Sequence, residues 1–242
     1  MIEPLLLTTA RVHTFVADQA LTNASGFFFA TGGKLFLVTS RHVVVDAQSN
    51  HFPDRIEIEV HTDPANLTLS ADVSIPLHLD GQPIWREGTD QAGEVDVAAI
   101  EIDPALLPAT ALYRAFTPLH LDTSFAQEIG TSILVVGFPL GFHDTLHHLP
   151  VVRHAVIAST FGLRFQGQGY FLTDARTHRG MSGAPVVMRV RTEFPKLADL
   201  PWLLLGVHSA RLDVGTRDFE LDEVLGLNCA WYSDVLLSLT AD

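Results

Sequence analysis

The chain has 242 residues, of which 47% are hydrophobic and 18% charged, and its formal net charge is −13. That composition excludes a disordered chain, and no apolar run approaches the roughly 18 residues that a membrane helix needs. A field this negative repels a phosphate backbone, which excludes nucleic acid as a general partner.

The single cysteine, Cys229, cannot form an internal disulfide. The opening string MIEPLLLTTA carries Glu3 and Pro4 where a secretion signal needs positive charge. The expectation is a soluble protein of the cytoplasm.

In chain order, residues 26–30, 35–39, 56–60 and 95–102 are short runs rich in Val, Ile, Phe and Thr, bounded by turn residues, as strands are. One helical turn is expected over 42–47, after the second of them. Ile56, Ile58 and Val60 alternate with Glu57 and Glu59, the pattern of a half-exposed antiparallel strand. The stretch 103–125 holds Pro104, Pro108 and Pro118 and has weak periodicity, so it reads as a connection. Strands resume at 132–136, 151–157, 184–190 and 203–208, and the polar segment 191–201 reads as an inserted loop. At the end Ser233 is the expected N-cap of a short helix, with Asp234 at its positive pole and Val235, Leu236 and Leu239 on one face. Many short strands and little helical period predict an all-β barrel or sandwich over a parallel βαβ sheet. The organisation is an N-terminal half over 1–105, a linker over 106–125 and a C-terminal half over 126–242.

Three strings carry chemistry. LVTSRHVV (37–44) places His42 just after a strand, VDVAAIEI (95–102) places Asp96 at the head of an apolar run, and RGMSGAPVV (179–187) sets Ser182 between glycines. A serine hydroxyl is a poor nucleophile unless a base, usually His, takes its proton and a carboxylate holds that base. Gly180 and Gly183 permit the tight turn such a serine needs, and that turn can aim the Gly180 and Ser182 N–H groups at one point, an oxyanion hole. Each string has a bland reading: a turn, a packed core histidine, a strand cap. All three together, in an all-β background, argue for nucleophilic catalysis. Asp90, Asp72 and Asp103 are rivals to Asp96, but none of them opens a D-V-A-x-I run.

In the order His, Asp, Ser these strings resemble the trypsin-like (chymotrypsin-fold) serine peptidases, and GMSGAPV matches that family's G-x-S-G-x-P-V pattern. The resemblance implies two six-stranded antiparallel β-barrels with a short C-terminal helix, and His42, Asp96 and Ser182 as a triad in the cleft between them. It implies a serine endopeptidase acting on protein or peptide substrates, with no cofactor and no metal. Met181 stands where the digestive members have the Asp of their zymogen switch, so the likeness is to bacterial and viral members that fold active without cleavage. VVGFPLG (135–141) resembles an early strand and turn of the second barrel. In relatives that cut after Glu or Gln, the positions of Thr177 and His208 bind the substrate side chain. Ser209 stands beside His208, and Arg179 is available to an acidic group. Arg176, Arg179 and Arg211 are either solvated surface or a greeting for an acidic substrate, and the sequence leaves both open.

Two rival chemistries fail on local pattern. An α/β-hydrolase carries its serine in G-x-S-x-G on a strand-to-helix turn; here Ala184 replaces the last glycine, and Pro185, Val186 and Val187 oppose a helix. His143 and His147 have the spacing of zinc ligands, but no third ligand accompanies them, and the segment reads as a solvated loop. A non-enzymatic peptide-binding module, or an esterase or peptidase confined to one partner, remains the alternative on the same fold.

Overall fold

Sharp turns cut the chain into short antiparallel strands. β1 (Thr9–Val16) reverses at Ala17 (φ 47°) into the long β2 (Gln19–Thr31), and Gly32 and Gly33 (φ 59° and 79°) reverse that into β3 (Lys34–Thr39). The computed structural model describes residues 2–121, 127–190, 197–211 (Arg211 by its backbone alone) and 225–241.

β4 (Arg55–His61) and β5 (Ser70–Pro76) follow, then the short β6 (His78–Leu79), β7 (Gln82–Pro83), β8 (Trp85–Arg86), β9 (Thr89–Asp90) and β10 (Gly93–Glu94), and β11 (Ala98–Glu101). They form a curled sheet in the order β5-β4-β1-β2-β3-β11-β8, with β6–β7 and β9–β10 as separate hairpins. The second half contributes β12 (Ser132–Gly137), β13 (Val151–Val156), β14 (Tyr170–Thr173), β15 (Pro185–Arg189), β16 (Trp202–Arg211) and β17 (Asn228–Tyr232). Their order is β13-β12-β15-β16-β17-β14, and an antiparallel bridge between Ile157 and Thr173 joins the outer strands. The architecture is therefore mostly β, as the sequence suggested. Seven strands stand in the first sheet rather than six, because Trp85–Arg86 pairs with the far edge of β11.

The run Gly26–Phe27–Phe28–Phe29 is buried throughout, which alternation alone does not predict. The pleat sends Phe28 into the core of the first sheet, with Val12, Leu37 and Ile58. Phe27 and Phe29 point the other way, into a core shared by both halves with Val187, Leu204, Val207 and Trp231. At about 1.5–3 kcal/mol for each fully buried large side chain, that shared core binds the halves into one body. Phe116 joins it from the connecting stretch, whose backbone bonds to Phe28 and Ala30 at 2.9 and 2.7 Å. Residues 122–125 of the expected linker and 191–196 of the expected loop lie outside the described residues.

Three local expectations need correction. The helical turn is α1 (Arg41–Val44), not 42–47. The strand expected over 95–102 begins only at Ala98, because Asp96 and its neighbours turn toward His42 and Val97 N–H bonds locally to the Val95 carbonyl. The terminal helix, α2 (Val235–Leu239), has Asp234 rather than Ser233 at its N-cap position, with no side-chain capping bond, and the buried Ser233 hydroxyl donates instead to the Leu204 carbonyl at 2.6 Å. No helix among the described residues is long and apolar enough to cross a membrane.

Candidate active site

His42 enters the site from α1, immediately after β3. Its backbone N–H donates to Asp96 Oδ1 at 2.9 Å, and its Nδ1 lies 2.7 Å from Asp96 Oδ2. Nδ1–H facing a carboxylate leaves Nε2 as an acceptor, and Nε2 lies 2.9 Å from Ser182 Oγ. Both separations fall within the range proton transfer requires. The Ser182 hydroxyl has the Ser209 carbonyl as a second acceptor, at 3.2 Å. The structure thus brings the three residues of the three strings into one hydrogen-bonded line, across sequence separations of 54 and 140.

Burial works to lower the His42 pKa, but the hydrogen bond and charge of Asp96, helped by Asp46, outweigh it, so the imidazole is held above its ordinary value of 6.5. The side chain remains 39% exposed, open to a substrate.

Gly180 (φ 92°) and Gly183 (φ 83°) shape the turn that carries Ser182. A Cβ on Gly183 would collide with the Ser25 carbonyl and with Thr39, so the turn carrying Ser182 is pressed directly against the first half. Peptide planarity then matters, since each C=O opposes the N–H of the next residue. The Arg179 carbonyl is held by Leu140 N–H at 2.6 Å and the Met181 carbonyl by Ala184 N–H at 2.9 Å. The N–H groups of Gly180 and Ser182, on the other side of those peptides, have no acceptor among the described residues. A cleft of about 780 Å³ opens beside them, bounded by Thr22, Asn23, His51, Arg179, Gly180 and Ser182.

Three contributors were not legible in the sequence. Ser25 donates its hydroxyl to the Gly180 carbonyl at 2.8 Å. Ser209, expected beside a substrate, donates its hydroxyl to Asp96 Oδ2 instead and so holds the carboxylate. Asn228, fully buried, accepts the Thr177 hydroxyl at 2.6 Å and donates to the Ala175 carbonyl at 2.6 Å. The expectation had Thr177 donating to a substrate oxygen; in the structure that proton is held by Asn228. His208 is buried, and neither it nor Thr177 borders the open cleft. Arg179 does border it, Arg176 is exposed, and the Arg211 side chain lies outside the described residues.

His143 and His147 do not converge on a metal site: His143 Nδ1 bonds to the Gly141 carbonyl and His147 Nδ1 to Asp144. Among the described residues no group of three or more His, Cys, Asp or Glu side chains could hold a metal ion. Cys229 is buried, which pushes its thiol pKa up and makes it a poor nucleophile.

Comparisons with known proteins bear on the fold and the family. A serine endoprotease from Yersinia pestis superimposes over 97% of this chain with a TM-score of 0.58 at 17% identity, a likeness of fold, and this chain spans 62% of that structure's length. Among curated proteins there is no match. The family model for the trypsin-like peptidase domain matches residues 24–191, a span that includes His42, Asp96 and Ser182, and the chain belongs to that family.

Proposed function

We propose that the protein is a serine endopeptidase in which His42, Asp96 and Ser182 act as a catalytic triad. The observation that carries this reading is the unbroken line from Asp96 through His42 to Ser182, at 2.7 and 2.9 Å. Ser182 Oγ attacks the scissile carbonyl as its proton passes to His42 Nε2. Asp96 accepts from Nδ1–H, holds that tautomer and balances the imidazolium. The carbonyl oxygen, now negative, is taken by the N–H groups of Gly180 and Ser182, a contribution of roughly 3–4 kcal/mol per donor in such sites. His42 returns the proton to the leaving amine, the C–N bond breaks, and an acyl ester remains on Ser182. Water, activated by the same imidazole, then cleaves the ester and regenerates the hydroxyl.

In this reading residues 1–105 and 126–242 are the two catalytic lobes, joined by 106–125, and the substrate is a protein or peptide. The side chain before the cut is Glu or Gln, taken up on the His208 side of the nucleophile. The setting is the cytoplasm, where one buried cysteine is no liability.

A fluorophosphonate probe tests the enzyme reading. The wild-type chain should be labelled and Ser182→Ala should not; an unlabelled wild type, or equal labelling of the variant, would return the protein to a peptide-binding module.

A further inference from the structure

The loop that follows β12 read as plain structure in the sequence, and its histidines as solvated. The fold carries it to the catalytic turn. Leu140 has φ 55° and ψ 22°, an uncommon conformation for a side-chain-bearing residue, and its N–H donates to the Arg179 carbonyl at 2.6 Å. The peptide it grips is the one whose N–H belongs to Gly180. Because a trans peptide sets C=O and N–H on opposite sides, pulling the Arg179 oxygen toward the loop turns the Gly180 N–H away from it. Contact is close on this side: a Cβ on Gly180 would stand 2.5 Å from the Phe138 carbonyl and 3.1 Å from Leu140 N.

The loop is itself tied down on the other half of the molecule. Arg11, on β1, donates to His143 Nε2 at 3.4 Å, which leaves His143 Nδ1–H to donate to the Gly141 carbonyl at 2.6 Å. Glu59, on β4, meets His148 Nδ1 at 2.7 Å, and His61 Nε2–H donates to the His147 carbonyl at 2.7 Å.

We infer that Leu140 is a positioning residue, whose backbone N–H, held by this anchored loop, sets the orientation of the Gly180 oxyanion donor. The inference rests on the peptidase reading and deepens it. The Leu140 side chain is 70% exposed and borders the same cleft as Gly180 and Ser182; what orients the peptide is its backbone N–H, held in the left-handed conformation.

The test compares three replacements in the full chain. Leu140→Pro removes the N–H and also forbids the φ of 55°, whereas incorporation of the α-hydroxy acid analogue of leucine at 140 deletes the N–H alone, with the least disturbance to folding. Leu140→Gly keeps the donor and favours the conformation. The first two should lower kcat by up to about 100-fold with KM little changed, as loss of an oxyanion donor does, while the low-field proton resonance of His42 Nδ1–H stays in place. Leu140→Gly should retain kcat, with the loss of a side chain bordering the cleft felt only in KM. Unchanged kcat in the hydroxy-acid protein, or equal loss in Leu140→Gly, would overturn the inference while fluorophosphonate labelling of the wild type kept the peptidase reading intact. A wild type that failed to label would remove both.

Discussion

The hydroxyl of Ser25 lies 2.8 Å from the carbonyl of Gly180 and donates to it across the boundary between the two halves. Ser25 Oγ in turn accepts the Phe138 N–H at 3.0 Å. Ser25 N–H donates to the Ser182 carbonyl at 2.9 Å, and its own carbonyl accepts the Thr39 hydroxyl at 2.8 Å. Every polar group of this fully buried residue therefore holds the turn around Ser182 or a segment beside it. In a region without solvent, such bonds fix geometry because their loss cannot be made good by water.

Ser25→Ala should consequently act twice. It strands a buried acceptor on Gly180 and a buried donor on Phe138, at about 1–3 kcal/mol of stability for such unpaired groups. It also loosens the turn that aims the Gly180 and Ser182 N–H groups. Urea denaturation should show the first effect and a fall in kcat, with KM little moved, the second. A variant as stable and as active as the wild type would remove Ser25 from the catalytic framework.

Ser182→Ala and His42→Ala should each lower turnover by several orders of magnitude, and the double variant by little more, because members of one proton-transfer unit are not additive. The measurement is hydrolysis of a peptide substrate in a double-mutant cycle. Multiplied losses would mean that Ser182 and His42 act separately.

The pH dependence follows from His42. In the proposed mechanism its neutral form is the base, and Asp96 favours the protonated form, so the pKa is held above 6.5 despite burial. As pH falls, kcat/KM should therefore decline with a midpoint above 6.5. Asp96→Asn removes the charge that raises it, so the midpoint should move down, and the plateau rate should drop by roughly 10⁴-fold as the wrong tautomer is held. A wild-type midpoint below 6.5 would contradict the contact seen between Asp96 and His42.

Digestion of a peptide library should show Glu or Gln before the cut. A site built to hydrogen-bond a side chain rejects one lacking the group by on the order of 10⁴-fold in the best cases. His208→Ala should flatten that preference while fluorophosphonate labelling persists. Cleavage chiefly after Lys, Phe or Ala would refute the preference.

The sequence by itself determined what is local. The short β-runs between turn residues could be placed because alternation, β-branching and glycine act over a few neighbours, and the turn around Ser182 was marked by Gly180 and Gly183. His42, Asp96 and Ser182 stood out because each sits in a short string with its own local signature. Only the tertiary structure decided how the polar groups pair. Ser25 is a serine at the head of a phenylalanine run, and nothing near it in the chain hints at Gly180, 155 residues away. Ser209 looked like a substrate contact until β16 brought its hydroxyl to Asp96, 113 residues back. Thr177 looked free to meet a substrate until β17 set Asn228 against it. Leu140 offers only a backbone N–H, which has no side-chain identity to read. A hydroxyl or amide takes whichever partner the fold presents within about 3 Å, and that partner is chosen by sheet order and by the core shared between the two halves.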